Sequence, residues 1–185
     1  MKQGFVKVAS ATPRIRVADP VYNAQVICEQ AKEAAEHGAK IVVFPELCIT
    51  GYTCNDLFLQ ELLLEKAKEA LLTIAEETGQ LETLFLVGLP VDKDGRLYNV
   101  AAVLYRGRIL GMIPKKNIPM YAEFYEGRHF TPGEETVTEY RLGKQVIPFG
   151  SNLLFRCEEL PELILGCELC EDLWVAEPPS TSHAL

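Results

Sequence analysis

The sequence predicts an α/β fold in which helices cover a sheet, and three observations carry that prediction. A βαβα pattern opens the chain, its second strand is apolar throughout, and the second half is a succession of strands joined by hairpin turns.

Residues 4–11, GFVKVASA, read as the first strand. Residues 19–38, DPVYNAQVICEQAKEAAEHG, read as a helix with Asp19 at the N-cap, Pro20 in the first turn and Gly38 past its end. Ala24, Ile27, Cys28, Ala31, Ala34 and Ala35 recur at three and four residues and give it one buried stripe. AKIVVFPEL, residues 39–47, is the continuous apolar kind of strand that is buried on both faces. A second helix is expected over 56–78, stopped by Gly79 and packed through Leu63, Leu64, Ala67, Leu71 and Ile74.

Residues 83–91, 97–107 and 108–116 then form successive strands, with Asp94-Gly95 and Arg106-Gly107 as the turns between them. Residues 117–135, NIPMYAEFYEGRHFTPGEE, lack periodicity, and so long a loop points to function. VIPFG at 146–150 is followed by strands expected at 152–159 and 162–170, and no closing strand or helix is expected after Trp174.

A chain of 185 residues, 48% of them hydrophobic, can bury a real core as one domain without disulfides. The formal net charge of −8 leaves no basic face for nucleic acid or anionic lipid. The six cysteines lie in apolar helix and strand patterns rather than at scaffold spacing, which reads as reduced thiols in a cytoplasmic protein. Lys2, Lys7, Arg14, Arg16 and Asp19 interrupt the first twenty residues, and no apolar run approaches the roughly 18 residues of a membrane span.

Chemistry is expected where a buried strand stops at a reactive residue: Glu46 after IVVFP, Lys115 after ILGMIP and Cys170 at the end of LILGCELC. Taken singly each also fits a plain reading: a solvated turn carboxylate, a surface lysine, an inert core thiol. Cys167 and Cys170 form a Cys-x-x-C. No second cysteine pair accompanies it, and His37, His129 and His183 are isolated, which argues against zinc. Pro178 and Pro179 follow too soon for the long helix of a thioredoxin-like pair. Cys167 reads as a small core residue of the strand, His37 as a helix C-terminal cap and His129 as loop packing.

Taken together, VVFPELCITGYT, PKKNIPMYAEFYEGRHFTPG and LGCELCEDLW resemble, in order, the three signature blocks of the nitrilase superfamily, the carbon-nitrogen hydrolases. Within it, GYTCNDLF and CEDLW followed by PPS are similar to the glutaminase domains of glutamine-dependent NAD synthetases. The resemblance covers essentially all of residues 1–185 and implies a nitrilase-like αββα four-layer sandwich, cut short at its C-terminal end.

It also implies glutamine as substrate, a C-terminal synthetase domain as partner and a homo-oligomer. No cofactor is implied for the glutaminase step, whereas ATP and Mg belong to the synthetase domain. Glu46 matches the general base, Lys115 the triad lysine and Cys170 the nucleophile; Glu126 matches a second carboxylate near the triad lysine that would hold its ammonium and orient the substrate, and Tyr52, Tyr121 and Glu171 match positions that line the substrate pocket. Tyr52 and Tyr121 also fit ordinary loop packing, and Glu126 and Glu171 solvated faces. Lys116 competes with Lys115, but alternation along the strand turns it to the opposite face. A free-standing amidase of the superfamily and a catalytically silent interaction module are the other readings.

The implied chemistry explains the residue types. Moving a proton from a free thiol near pKa 8.5 to a free Glu near 4.3 is uphill by roughly 4 units, about 6 kcal/mol. A buried carboxylate and an adjacent ammonium are expected to narrow that gap. The ammonium and the backbone N–H of Glu171 would then receive the oxyanion.

Overall fold

A computed structural model describes residues 4–185; Lys2 lies outside the described residues. Helix α1 (Pro20–Glu36) starts where Asp19 accepts the Tyr22 N–H at 3.1 Å, with proline in the first turn, and His37 caps its end. Strands β1 (Val8–Ser10), β2 (Ile41–Val43) and β3 (Leu84–Lys93) run parallel to one another, with α1 and helix α2 (Glu61–Glu77) in the connections. Strands β4 (Arg96–Tyr105) and β5 (Arg108–Pro114) continue as antiparallel hairpins, as the turn residues predict. Strands β6 (Thr138–Leu142) and β7 (Gln145–Phe149) complete a seven-stranded sheet in the order β1-β2-β3-β4-β5-β7-β6.

Both long helices lie on one face of the sheet. Ile27, Ala31, Leu71 and Ile74 pack there on Val42, Val87, Leu89, Val100 and Ala102. The other face carries Ala101, Val103 and Ile113, covered by Leu153, Phe155, Cys167 and Leu169. Part of that cover is a second, two-stranded sheet, β8 (Phe155–Arg156) with β9 (Ile164–Leu165). Gly111 admits it, since a Cβ there would stand 2.8 Å from the Phe155 ring. A helical layer, a main sheet and a second β layer therefore stack in the order expected. Among the described residues no helix is long and apolar enough to cross a membrane.

Four elements differ from expectation. Residues 52–59 form an irregular 3-10 segment rather than the start of α2. Asn55 takes φ 49° and Gln60 is extended, because Cys54 and Phe58 turn inward to pack with Leu47, Leu63 and Phe130. The strands expected over 152–159 and 162–170 shrink to two residues each, and Cys167 lies beyond β9, half-buried against the second face. A short helix, α3 (Pro179–His183), does follow Trp174. The hairpin β6–β7 extends the short VIPFG run because Tyr140 and Leu142 point inward while Glu139 and Arg141 face water.

Candidate active site

Glu46 stands in the turn directly after β2, and that turn presses on β3 at Gly88. A Cβ at Gly88 would collide with the Leu47 nitrogen and lie 2.7 Å from the Pro45 carbonyl oxygen, so only glycine admits the approach. The Ile49 N–H donates to the Gly88 carbonyl at 3.1 Å. Asn23, buried on α1, holds the far end of the turn by donating to the Ile49 carbonyl at 2.9 Å. Glu46 Oε1 accepts from Asn99 Nδ2 and from Lys115 Nζ, each at 2.7 Å. Both donors converge on one oxygen, and Oε2 is left as the oxygen open to a further partner.

Lys115 continues the β4–β5 ladder beyond Pro114, its N–H donating to the Asn99 carbonyl at 2.8 Å. The loop over 117–135 folds back on it: the Gly133 N–H donates to the Lys115 carbonyl at 2.7 Å, and a Cβ at Gly133 would meet the Pro114 oxygen at 2.6 Å. The Lys115 side chain is 0% exposed and lies between Glu46, at 18%, and Glu126, at 5%. Its Nζ reaches the two Glu126 oxygens at 2.8 and 3.0 Å.

Burial alone would lower the Lys115 pKa, but the charges and hydrogen bonds of Glu46 and Glu126 outweigh it and hold the ammonium above its ordinary range. Tyr52 donates to Glu126 Oε1 at 2.8 Å, and its phenol is pushed up by desolvation and then by that carboxylate. Lys116 turns away to pair with exposed Glu135, as alternation predicts.

Cys170 opens a 3-10 turn (Cys170–Leu173) with φ 45°, a left-handed conformation that a non-glycine residue adopts only where its surroundings impose it. Its thiol is exposed, unlike those of Cys28, Cys48 and Cys54. Desolvation and the Glu46 charge raise its pKa, Lys115 lowers it, Glu126 raises it, and the Glu171 N–H lowers it; the net direction is up. The lysine acts in the expected sense, but desolvation and the two carboxylates outweigh it. Cys167 is pushed up to about 12 by burial, as suits a packed thiol.

Tyr121 donates to Glu171 Oε2 at 2.7 Å beside the thiol turn. A cavity of about 370 Å³ opens next to the cluster; it shares Tyr52 and Glu126 with it and is otherwise lined by Phe58, Arg128, His129 and Phe130 among others. His129 packs against Phe58 and Phe130, the loop packing expected of it. Among the described residues no group of three or more His, Cys, Asp or Glu side chains is arranged to hold a metal ion.

Glu46, Lys115, Glu126 and Tyr52 are thus joined by hydrogen bonds, and Cys170 stands within the field of Glu46, Lys115 and Glu126. Tyr121 and Glu171 form a separate pair at its edge. Two residues were not singled out from the sequence. Asn99 is a fully buried amide in an otherwise apolar stretch of β4, a polar interruption that could have flagged it. Asp172 is buried within the thiol turn, and its place within CEDLW was the available signal.

Residues 7–181 match the family of carbon-nitrogen hydrolases. The chain is 40% identical over 184 residues to the glutamine-dependent NAD(+) synthetase of Mycobacterium tuberculosis, covering 100% of this chain and 27% of that protein. It is 32% identical over 185 residues to the synthetase of that name from Thermotoga maritima, covering 28% of it. A crystal structure of a glutamine-dependent NAD(+) synthetase from Cytophaga hutchinsonii superposes with a TM-score of 0.82 at 29% identity, over 90% of this chain and 28% of that one. An amidase from Nesterenkonia sp. shares the fold, with a TM-score of 0.58 at 24% identity over 77% of this chain and 54% of that one. The chain therefore spans little more than a quarter of the length of the synthetases it matches.

Proposed function

Because the chain belongs to the carbon-nitrogen hydrolase family, we propose that the cluster around Lys115 hydrolyses the side-chain amide of glutamine, with Cys170 as nucleophile and Glu46 as general base. The observation that carries this reading is a fully buried ammonium clamped between two carboxylates, with all three charges acting on the exposed Cys170. The similarity to glutamine-dependent NAD(+) synthetases supports glutamine over other amides.

In this mechanism the resting thiol is neutral, so its proton moves to Glu46 Oε2 as sulfur attacks the amide carbon. Charge that develops on the amide oxygen is received by the Lys115 ammonium and the Glu171 N–H, donors already fixed in a desolvated site. The carbon-nitrogen bond then breaks, and protonated Glu46 returns its proton to the departing nitrogen, which leaves as ammonia. Glu46 next takes a proton from water, the hydroxide adds to the γ-glutamyl thioester, and glutamate leaves as the thiol regains its proton. Glu126 keeps Lys115 charged, and Asn99 with Lys115 occupies Oε1 so that Oε2 faces the proton in flight. Tyr121 and Glu171 suit the α-ammonium of glutamine through a charge-assisted hydrogen bond.

Within a longer protein, the ammonia would pass to a synthetase domain that uses ATP and Mg, both bound outside residues 1–185. Release of ammonia and glutamate from glutamine, compared with release from aliphatic amides, tests the reading. Glutamine-dependent release that disappears in Cys170→Ala supports it. Turnover of aliphatic amides with glutamine ignored points instead to an amidase, and no release from folded protein overturns hydrolysis by this chain.

A further inference from the structure

We propose that the buried Asp172 carboxylate is a positioning residue that ties the thiol turn to the segment after Lys115 and so fixes Cys170 against the ammonium. The proposal rests on Cys170 and Lys115 acting together as described above.

Asp172 is 1% exposed and, among the described residues, has no cationic side chain as partner. Such a carboxylate is tolerated only where hydrogen bonds replace water. Its Oδ1 accepts from the Lys116 N–H at 3.1 Å, the Asn117 N–H at 2.7 Å and Asn117 Nδ2 at 2.9 Å. Its Oδ2 accepts from the Leu169 N–H at 3.1 Å.

Leu169 immediately precedes Cys170, and Lys116 immediately follows Lys115. One carboxylate therefore bridges two segments more than fifty residues apart, each one residue from a reacting group. Capping the 3-10 turn requires only the Leu169 bond. The three bonds to residues 116 and 117 add nothing to the turn, and their effect is to set where the turn stands relative to Lys115. They also help to impose the left-handed backbone of Cys170, which needs external support.

Asp172→Asn tests this in a Cys167→Ala background. The rate of Cys170 alkylation by iodoacetamide would be followed against pH by mass spectrometry, alongside glutamine turnover and circular dichroism. With the tie loosened, Cys170 leaves the field in which Glu46 and Glu126 outweigh Lys115, and the alkylation profile is expected to move to lower pH and to respond less to an added Glu126→Gln. Turnover is expected to fall about 100-fold in kcat with KM nearly unchanged. Removal of a negative charge acting only through space would also move the profile to lower pH but would leave its response to Glu126→Gln intact, so that response separates the two roles.

A profile that stays in place or moves up in folded protein overturns the proposal, as does an undiminished response to Glu126→Gln or a kcat that falls only with the folded fraction. A chain that turns over no glutamine but shows the downward move with a diminished response to Glu126→Gln keeps the positioning role and loses the glutaminase reading. Should Asp172→Asn fail to fold, Asn117→Ala, which removes one of the bonds, is expected to give a smaller move in the same direction; no move overturns the proposal.

Discussion

Lys115 and Glu126 meet through both carboxylate oxygens, at 2.8 and 3.0 Å, in a place where neither side chain reaches water appreciably. Surface ion pairs contribute little, whereas removing one member of a buried pair leaves the other charged and unpaired. Lys115→Met leaves two carboxylates facing each other, and a loss of about 3–5 kcal/mol of stability is expected in urea titrations. The pH dependence has a definite sign. The folded pKa of Lys115 lies above its ordinary 10.5, so its contribution is fully present below that value and is lost as pH rises through the folded pKa. Wild type should lose its advantage over Lys115→Met as pH rises through that alkaline window.

Desolvation and the same carboxylates raise the Cys170 pKa. Glu126→Gln removes a charge that raises the Cys170 pKa, so alkylation should reach its half-maximal rate at lower pH than in wild type. Glutamine turnover should nevertheless fall, because Lys115 loses part of its clamp. An unchanged alkylation profile would contradict the electrostatic account of the resting thiol.

Tyr52 is bonded to Glu126 from a segment of irregular backbone. Tyr52→Phe deletes only that hydroxyl, and its hydrogen bond is expected to matter by about 1 kcal/mol, the ordinary range for one bond. A five- to tenfold fall in kcat/KM, with the melting temperature shifted by a few degrees at most, is the outcome to look for.

Gly88 tests how backbone proximity places the base. Gly88→Ala forces the Glu46 turn off β3, with an expected cost of about 1–3 kcal/mol from overpacking. Because the turn carries Glu46, turnover should drop more steeply than stability. Thermal melts and steady-state kinetics on one preparation would show it.

Much of this was legible in the sequence for identifiable reasons. The caps and apolar stripe of α1 and the Asp94-Gly95 and Arg106-Gly107 turns are local signals, and the structure repeats them. Residues 56–60, expected to open the second helix, differ because Cys54 and Phe58 pack under Phe130, a contact between distant segments. The strands around Phe155 and Ile164 were overextended because their apolar residues serve to cover the main sheet rather than to pair with each other. Glu46, Lys115 and Cys170 stood out as reactive groups ending apolar runs. Asn99 and Asp172 did not, since their importance lies in partners 53 to 56 residues away.

Covalent trapping at Cys170 tests the central claim most directly. A glutamine-analogue diazo-ketone should add once per chain, at Cys170 alone by peptide mass mapping. Labelling should persist in Cys167→Ala, vanish in Cys170→Ala and slow at least tenfold in Lys115→Met and Glu46→Gln variants that remain folded. Labelling spread over other cysteines, or a rate at Cys170 indifferent to Lys115 and Glu46, would show that the carboxylate, ammonium and thiol do not act as one site.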